Sequence, residues 1–187
     1  MNKNKYFFVG VVLSLMLFSC DDTTFSISDD IDSQIDKVDF CPPDIGVSVP
    51  SLLKQNVEEM MSNVVSAIGP SVENEAKKKN VWPVDSIYLK SLKMSMKSSP
   101  ESPTNSNTLG FLVSVEIYIS ADGEQEQLWA VADNIEEKST EIVFEPKKVN
   151  MKPYIDKGIK TSTKITVRYC PNVDIPIKIS YKAEIGF

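Results

Sequence analysis

From residue 86 to residue 187, apolar and polar residues alternate along the chain, which is the pattern of β-strands that bury one face. The longest alternation spans residues 111–120, where every odd-numbered residue is apolar. Asp122-Gly123 follows, a dipeptide typical of a hairpin turn. Further strands are predicted at 86–96, 128–132, 142–144, 165–169 and 175–187, and one more within 25–38. These seven short strands predict a mainly β, antiparallel sandwich.

Two irregularities refine this prediction. The parity of the apolar residues changes between Leu89 and Leu92, which predicts a β-bulge near Lys90-Ser91. Pro176 lies inside the last strand, and because proline cannot donate to a ladder, it predicts an edge strand or a bulge there. The segment 98–108 is rich in proline and asparagine and is predicted to be a loop that supplies binding contacts.

One amphipathic helical insertion, residues 51–79, separates the first and second strands. Apolar residues recur at helical spacing from Leu52 to Ile68, and Gly69-Pro70 predicts the end of this helix. A shorter polar helix is then expected over 71–79. The stripe contains Met60 and Met61, and it is expected either to cover one face of the sandwich or to bind a partner chain.

The first nineteen residues have the features of a secretory signal peptide. Lys3 and Lys5 give a basic start, and an apolar run follows that is too short to span a bilayer. The segment Leu-Phe-Ser-Cys at 17–20 resembles the lipobox of bacterial lipoproteins, in which the cysteine is acylated, with palmitate among the acyl groups. The resemblance implies a lipid anchor on Cys20; the alternative is a secreted protein in which Cys20 is an ordinary cysteine.

Acidic residues follow Cys20, and residues 20–30 are predicted to form an acidic tether before a single domain over 31–187. Acidic residues after a lipidated cysteine resemble the sorting signals of surface lipoproteins in the Bacteroidota. This resemblance implies the cell envelope of a Gram-negative bacterium, with the anchor in the outer membrane and the domain exposed at the surface. Residues 29–32 have the acidic spacing of a calcium loop but lack its glycine and distal glutamate, so a solvated tether and first strand is the stronger interpretation.

Charge and composition exclude several functions. Removal of residues 1–19 takes two lysines from a chain of net charge −6 and leaves −8, and Arg168 is the only arginine, so nucleic acid is not an expected partner. The chain has no histidine, no glycine-rich phosphate loop and no zinc-type cysteine spacing. We therefore predict no enzyme, no catalytic residue, no metal and no cofactor, although a Ser-Lys dyad or a carboxylate pair could be built from many residues.

Two cysteines remain once Cys20 carries lipid. Cys41 and Cys170 are each followed by proline, which places them at strand ends or turns. In an exported protein they are expected to form a disulfide, which would close a loop of more than a hundred residues. The alternative is two unpaired thiols.

Three aromatic residues are candidates for binding. Trp82 lies in a loop after the helical insertion, and Tyr118 and Trp129 lie on predicted strands. An exposed tryptophan and tyrosine could stack on a glycan or anchor a protein partner. The alternative is that the tryptophans fill the core, as large aromatic residues usually do.

The order of segments 89–95, 115–121 and 151–155, followed by a final strand, resembles a group of uncharacterised bacterial lipoproteins. This resemblance implies an immunoglobulin-like or late-embryogenesis-abundant-like β-sandwich, and it implies no activity. The function expected is a non-catalytic binding or adhesion module held on the membrane by its acyl anchor, with a protein or glycan ligand. The alternatives are a structural subunit, with helix 51–68 packed on a partner chain, and an envelope hydrolase, which requires a cleft with convergent carboxylates.

Overall fold

The computed structural model of the protein describes residues 24–39, 51–81, 83–104 and 106–187. Residues 1–19, predicted to be a signal peptide, and Cys20, Cys41 and Trp82 lie outside the described residues, and the predictions made for them stay predictions. The elements are β1 (Thr24–Ile35), α1 (Ser51–Lys79), β2 (Ser86–Met96), β3 (Leu112–Ala121), β4 (Glu124–Ala132), β5 (Glu141–Pro146), α2 (Lys152–Asp156), β6 (Lys160–Val167) and β7 (Ile175–Gly186).

The seven strands pair antiparallel in one sheet with the order β1-β7-β2-β5-β4-β3-β6. β5 pairs with β2 through Ile142 and Phe144, and with β4 through Glu145 and Pro146. It therefore joins two halves, β1-β7-β2 and β4-β3-β6, whose apolar faces share one core, as in a sandwich. The predicted mainly β antiparallel fold, with a helix inserted after the first strand, is confirmed.

α1 lies along the opening between the two edge strands of this sheet. It contacts β1 and β7 on one side and β6 on the other. The Glu58 carboxylate accepts a hydrogen bond from the Thr163 backbone N–H on the edge strand β6, at 3.3 Å. Since both edge strands contact the same helix, the sheet curls around it.

The apolar stripe of α1 is buried within the chain from Leu53 onward, whereas Leu52 is exposed. Met60 and Met61 are both in the core, so they cover the sheet. The buried residues of the helix are Leu53, Val57, Met60, Met61, Val64, Val65, Ile68, Val72 and Ala76. The stripe that a partner chain would have bound in the structural-subunit alternative is thus occupied by the protein's own sheet.

The predicted end of the helix at Gly69-Pro70 is wrong, because α1 continues through both residues to Lys79. The stripe runs on past the proline to Val72 and Ala76, and this packing outweighs the one backbone hydrogen bond that Pro70 cannot make. Gly69 also lets α2 approach closely, since a Cβ at this position would lie 3.2 Å from Cγ2 of Ile155.

The two strand irregularities have different outcomes. The register of β2 against β7 shifts between Leu89 and Ser91, which confirms the predicted bulge. Neither the edge position nor the bulge predicted from Pro176 is found, because β7 lies between β1 and β2 and pairs with β1 through Pro176 without a register shift. Pro176 lies one step beyond the last β2–β7 pair, Met96–Ile177, and its carbonyl accepts from the Lys97 N–H at 2.9 Å. Proline is tolerated there because the ladder between β7 and β2 ends at the preceding pair.

β1 begins earlier than the predicted start of the domain. It pairs with β7 from Thr24–Gly186 to Ile35–Ile175, so residues 24–30 belong to the sheet and not to a tether. The acidic residues of this segment form ion pairs across the outer face, Asp30 with Lys178 at 3.3 Å and Asp32 with Lys97 at 3.0 Å. Residues 29–32 are thus strand and not a calcium loop. A strand within 25–38 is predicted, but the acidity of its solvated outer face led to the prediction of a tether up to residue 30.

The strand register gives the domain two ends. We call one the Thr24 end, formed by Thr24, Ser86, Gly186 and the last turn of α1, Lys77–Lys79. The Lys79 ammonium lies 5.5 Å from the centre of the Phe25 ring, which places this turn beside the start of β1. We call the other the loop end, formed by the connections 97–108, 133–140 and 168–174. At about 3.3 Å per residue, the 12 residues of β1 place the two ends about 36 Å apart.

Candidate functional site

The loop end is organised by the only arginine of the protein. The Arg168 guanidinium donates hydrogen bonds to the carbonyls of Gly110 at 3.1 Å, Leu112 at 2.6 Å and Ile135 at 2.6 Å. Its backbone N–H donates to the Phe111 carbonyl at 2.8 Å. A guanidinium group has five N–H donors in one plane, so a single arginine can donate to several backbone carbonyls at once. Arg168 therefore ties the connections 168–174 and 133–140 to residues 110–112, which lie directly after the connection 97–108.

Gly110 permits close backbone packing at the same place. A Cβ on Gly110 would lie 2.2 Å from the Lys138 backbone nitrogen and 3.0 Å from the Glu136 carbonyl oxygen. Lys138 has a φ of 62°, a left-handed conformation that is unfavourable for a residue other than glycine or asparagine. The backbone of the connection 133–140 thus packs directly against Gly110, just before β3, and leaves no space for a side chain at position 110.

The connection 97–108 has an internal hydrogen-bond network. The Thr108 hydroxyl donates to the Thr104 carbonyl at 2.7 Å and accepts from the Gly110 N–H at 3.3 Å. The Asn107 side chain accepts from the Thr104 N–H at 2.7 Å and donates to the Ser102 carbonyl at 3.1 Å. Asparagine and threonine side chains replace ladder partners in such turns. The proline- and asparagine-rich composition thus specifies an ordered loop.

The connection 168–174 is held from both sides. The Asn172 N–H donates to the Ser106 carbonyl at 3.0 Å, and the Val38 N–H donates to the Pro171 carbonyl at 2.9 Å. Cys170 is buried and disulfide-bonded, and its partner lies outside the described residues. Val38 precedes Cys41 by three residues, so the predicted Cys41–Cys170 pairing fits this geometry and stays a prediction.

Apolar groups are exposed on this fixed scaffold. The Tyr169 side chain is 50% exposed, and Val173, on the same connection, is 45% exposed. A shallow cavity of about 350 Å³ adjoins the tyrosine. It is lined by Pro103, Thr104, Ser106, Lys138 and Tyr169. The cavity therefore combines an aromatic ring, hydroxyl groups and an ammonium group, which are the groups that orient a polar ligand.

The aromatic residues predicted for binding do not form one site. Trp129 is fully buried, so it fills the core as the alternative prediction held. Tyr118 lies on the outer face of β3, where its hydroxyl donates to the Glu116 carboxylate and accepts from the Lys164 ammonium at 3.2 Å. This contact with Tyr118 raises the pKa of Lys164, which also lies 4.7 Å from the centre of the Tyr118 ring. The side chain of Tyr118 is thus occupied by its own neighbours.

Tyr169 was missed because Ile165, Val167 and Tyr169 alternate like one strand. β6 ends at Val167, since Arg168 turns away to bind the carbonyls described above. The dipeptide Cys170-Pro171 is the signal that could have marked the end of the strand, because a proline disfavours continued pairing.

A larger cavity, of about 580 Å³, lies over the outer face of β1, β7, β2 and β5. Its lining includes Asp30, Lys93, Ser180 and the exposed Val143. The hydrogen bond from Ser180, followed by the one from Lys178, lowers the pKa of Asp30. In the described part of the chain, the carboxylates that show a shifted pKa, Asp30, Glu75 and Asp122, all shift downward, whereas a general acid needs a raised pKa.

The described residues also lack two kinds of site. Among them, no group of three or more histidine, cysteine, aspartate or glutamate residues has the arrangement of a metal site. In the same ranges, no helix has the length and apolarity that are needed to cross a bilayer. Comparison of the chain with family models, with curated proteins and with solved structures finds no match.

Proposed function

We propose that this protein is a lipid-anchored cell-envelope protein with a non-catalytic binding domain, and that the loop end is its binding surface. The observation that carries the proposal is the exposure of Tyr169 and Val173 on a scaffold that Arg168 and the Cys170 disulfide hold rigid. An exposed apolar group lowers the free energy when a ligand covers it, and a rigid loop loses little entropy on binding.

Tyrosine suits this role because its ring stacks on apolar faces while its hydroxyl remains able to form hydrogen bonds. The neighbouring hydroxyls of Thr104 and Ser106 lie 3.3 Å apart and line the same cavity. A glycan or a polar protein loop offers the matching combination of C–H faces and hydroxyl groups. The ligand is therefore expected to be a glycan or a protein.

The binding experiment uses the acylated protein displayed on vesicles, probed with an array of bacterial polysaccharides and purified extracellular-matrix proteins. We expect at least one probe to bind, and Tyr169→Ala to weaken that binding about tenfold or more, as for an interface anchor residue. Val143→Ser is the matched control, because Val143 is 65% exposed but lies on the sheet face away from the loop end. Retention of full binding by Tyr169→Ala would contradict the proposed surface.

The anchor is tested separately by metabolic labelling with a palmitate analogue. We expect the wild-type chain to incorporate the label and Cys20→Ser to incorporate none, because the thiol of residue 20 is the proposed acylation site. Cys41→Ser serves as the control and should remain labelled. Labelling that persists in Cys20→Ser would rule out this anchor and, with it, the proposed location.

A further inference from the structure

We infer that the Thr24 end of the domain rests on the bilayer surface and that the loop end is presented away from it. The inference rests on the proposed acylation of Cys20. It adds the orientation of the domain, and it assigns the Thr24 end as the surface that meets the phospholipid headgroups.

The length of chain before β1 is the first argument. Residues 21–23 separate Cys20 from Thr24, so even a fully extended chain spans at most about 14 Å between these two residues. Acyl chains on Cys20 would lie in the hydrocarbon core, which keeps the cysteine at the membrane interface. Thr24 must then lie within about 14 Å of the membrane interface.

Thr24 is firmly attached to the rest of the domain, which is the second argument. It pairs with Gly186 on β7, which also pairs with Ser86 on β2. The adjacent Phe25 ring stacks on the Phe187 ring with 5.4 Å between the ring centres. A strand held this way cannot separate from the sheet to lengthen the tether without losing these contacts.

Charge determines which way the domain tilts, and this is the third argument. The Thr24 end carries Lys77, Lys78 and Lys79. The side chains of Lys77 and Lys78 are 62% and 70% exposed, and their ammonium groups pair with Glu73 and Glu75, each at 2.5 Å. The long stems of lysine let the ammonium groups reach phosphates at an interface. In contrast, the edge strand beside it presents Asp30 and Asp32 on its outer face. The ion pairs of Asp30 with Lys178 and of Asp32 with Lys97 leave no net charge among these four residues. The last turns of α1 instead carry three lysines against Glu73 and Glu75, so an upright position, with α1 at the headgroup phosphates, is favoured.

The geometry then sets the height of the binding surface. The loop end lies about 36 Å beyond the Thr24 end along β1. Tyr169 is thus held clear of the headgroups, whereas the last turn of α1 lies close to them. The two ends of one rigid domain should report very different distances from the membrane.

The experiment places an environment-insensitive fluorescent amino acid at residue 78 or at residue 173 of the full-length acylated protein. This avoids cysteine chemistry, which would disturb the Cys170 disulfide. The protein is reconstituted in phosphatidylcholine–phosphatidylethanolamine vesicles that contain a lipid with a nitroxide on its headgroup. We expect the probe at residue 78 to be quenched several-fold more strongly than the probe at residue 173. Equal quenching, or stronger quenching at residue 173, would overturn the inference.

A matched variant tests the role of the short tether. A flexible Gly-Ser insertion of about twenty residues between Asp22 and Thr23 adds roughly 25 Å of root-mean-square reach and leaves the domain unchanged. We expect it to abolish most of the difference between the two positions, and an unchanged difference would contradict the argument from tether length. Cys20→Ser separates the two proposals. If it still binds the vesicles, the proposed anchor fails, whereas equal quenching in a wild-type protein that carries the acyl label overturns only the orientation.

Discussion

The two ends of the domain are built by different means. The Thr24 end consists of strand termini and the last turn of a long helix, so that its backbone groups are satisfied by the sheet and by α1. The loop end consists of three irregular connections whose carbonyls and N–H groups are satisfied by Arg168, Thr108 and Asn107. Side chains replace the ladder where the backbone leaves it. The comparison shows that an exposed aromatic residue can be held rigidly on loops, provided that polar side chains complete the hydrogen bonding.

The largest effect on stability is expected from Gly110→Ala at the loop end. The new Cβ would lie 2.2 Å from the Lys138 nitrogen, and because the obstacle is backbone, the connection 133–140 must move. We expect the free energy of unfolding to fall by about 3 kcal/mol in urea denaturation. A loss of less than 1 kcal/mol would show that the connection adapts readily, and it would break the distinction between a rigid loop end and an ordinary mobile loop.

Arg168→Ala is expected to have the next largest effect. It removes three hydrogen bonds from a charged donor and leaves the carbonyls of Gly110, Leu112 and Ile135 without it, which should lower the free energy of unfolding by about 2–3 kcal/mol. Arg168→Lys is the control, because it keeps the charge but not the planar fork, and it should recover only a small part of the loss. Full recovery by lysine would mean that charge, and not the geometry of the fork, organises the loop end.

A smaller effect is expected at the opposite end of β3. Gly123 has a φ of 77°, and a Cβ there meets nothing within 4 Å, so Gly123→Ala suffers backbone strain without a clash. We expect a loss of about 1 kcal/mol in urea denaturation. At Gly123 glycine is needed for its positive φ, whereas at Gly110 it is needed because a neighbouring backbone leaves no space for a Cβ. Equal losses at the two positions would remove this contrast between a tight turn and a packed connection.

The smallest effect is expected from titration of Asp122 in the same turn. The hydrogen bond from Lys160 lowers the pKa of Asp122 below its ordinary value of 3.8. The contribution of this pair is present above the unfolded pKa and is lost as the pH falls through the lowered value. Asp122→Asn and Lys160→Gln should therefore each flatten slightly the fall in stability between pH 5 and pH 2, measured by thermal unfolding. The acceptors of Arg168 are backbone carbonyls, which do not titrate, so the loop end should not share this dependence.

Periodicity and turn composition were enough to predict several features of the fold. The seven strands, the bulge near Lys90-Ser91, the Asp122-Gly123 turn and the helical insertion were all predicted, because each is recorded in consecutive residues. Of the candidate site, the connection 97–108 was predicted as a loop from its prolines and asparagines. The exposed position of Tyr169 was not predicted, because Tyr169 continues the alternating pattern of β6 although the strand ends at Val167.

The positions of the segments relative to one another were decided only by the tertiary structure. α1 continues through Pro70 because the sheet buries both of its halves, β7 is central because β1 pairs along its far side, and β5 joins the two halves because it reaches both β2 and β4. An alternating sequence pattern shows that one face of a segment is buried, and charged residues show that the other face is exposed to water. Neither pattern shows which distant segment packs against the buried face, since that depends on contacts between residues far apart in the chain.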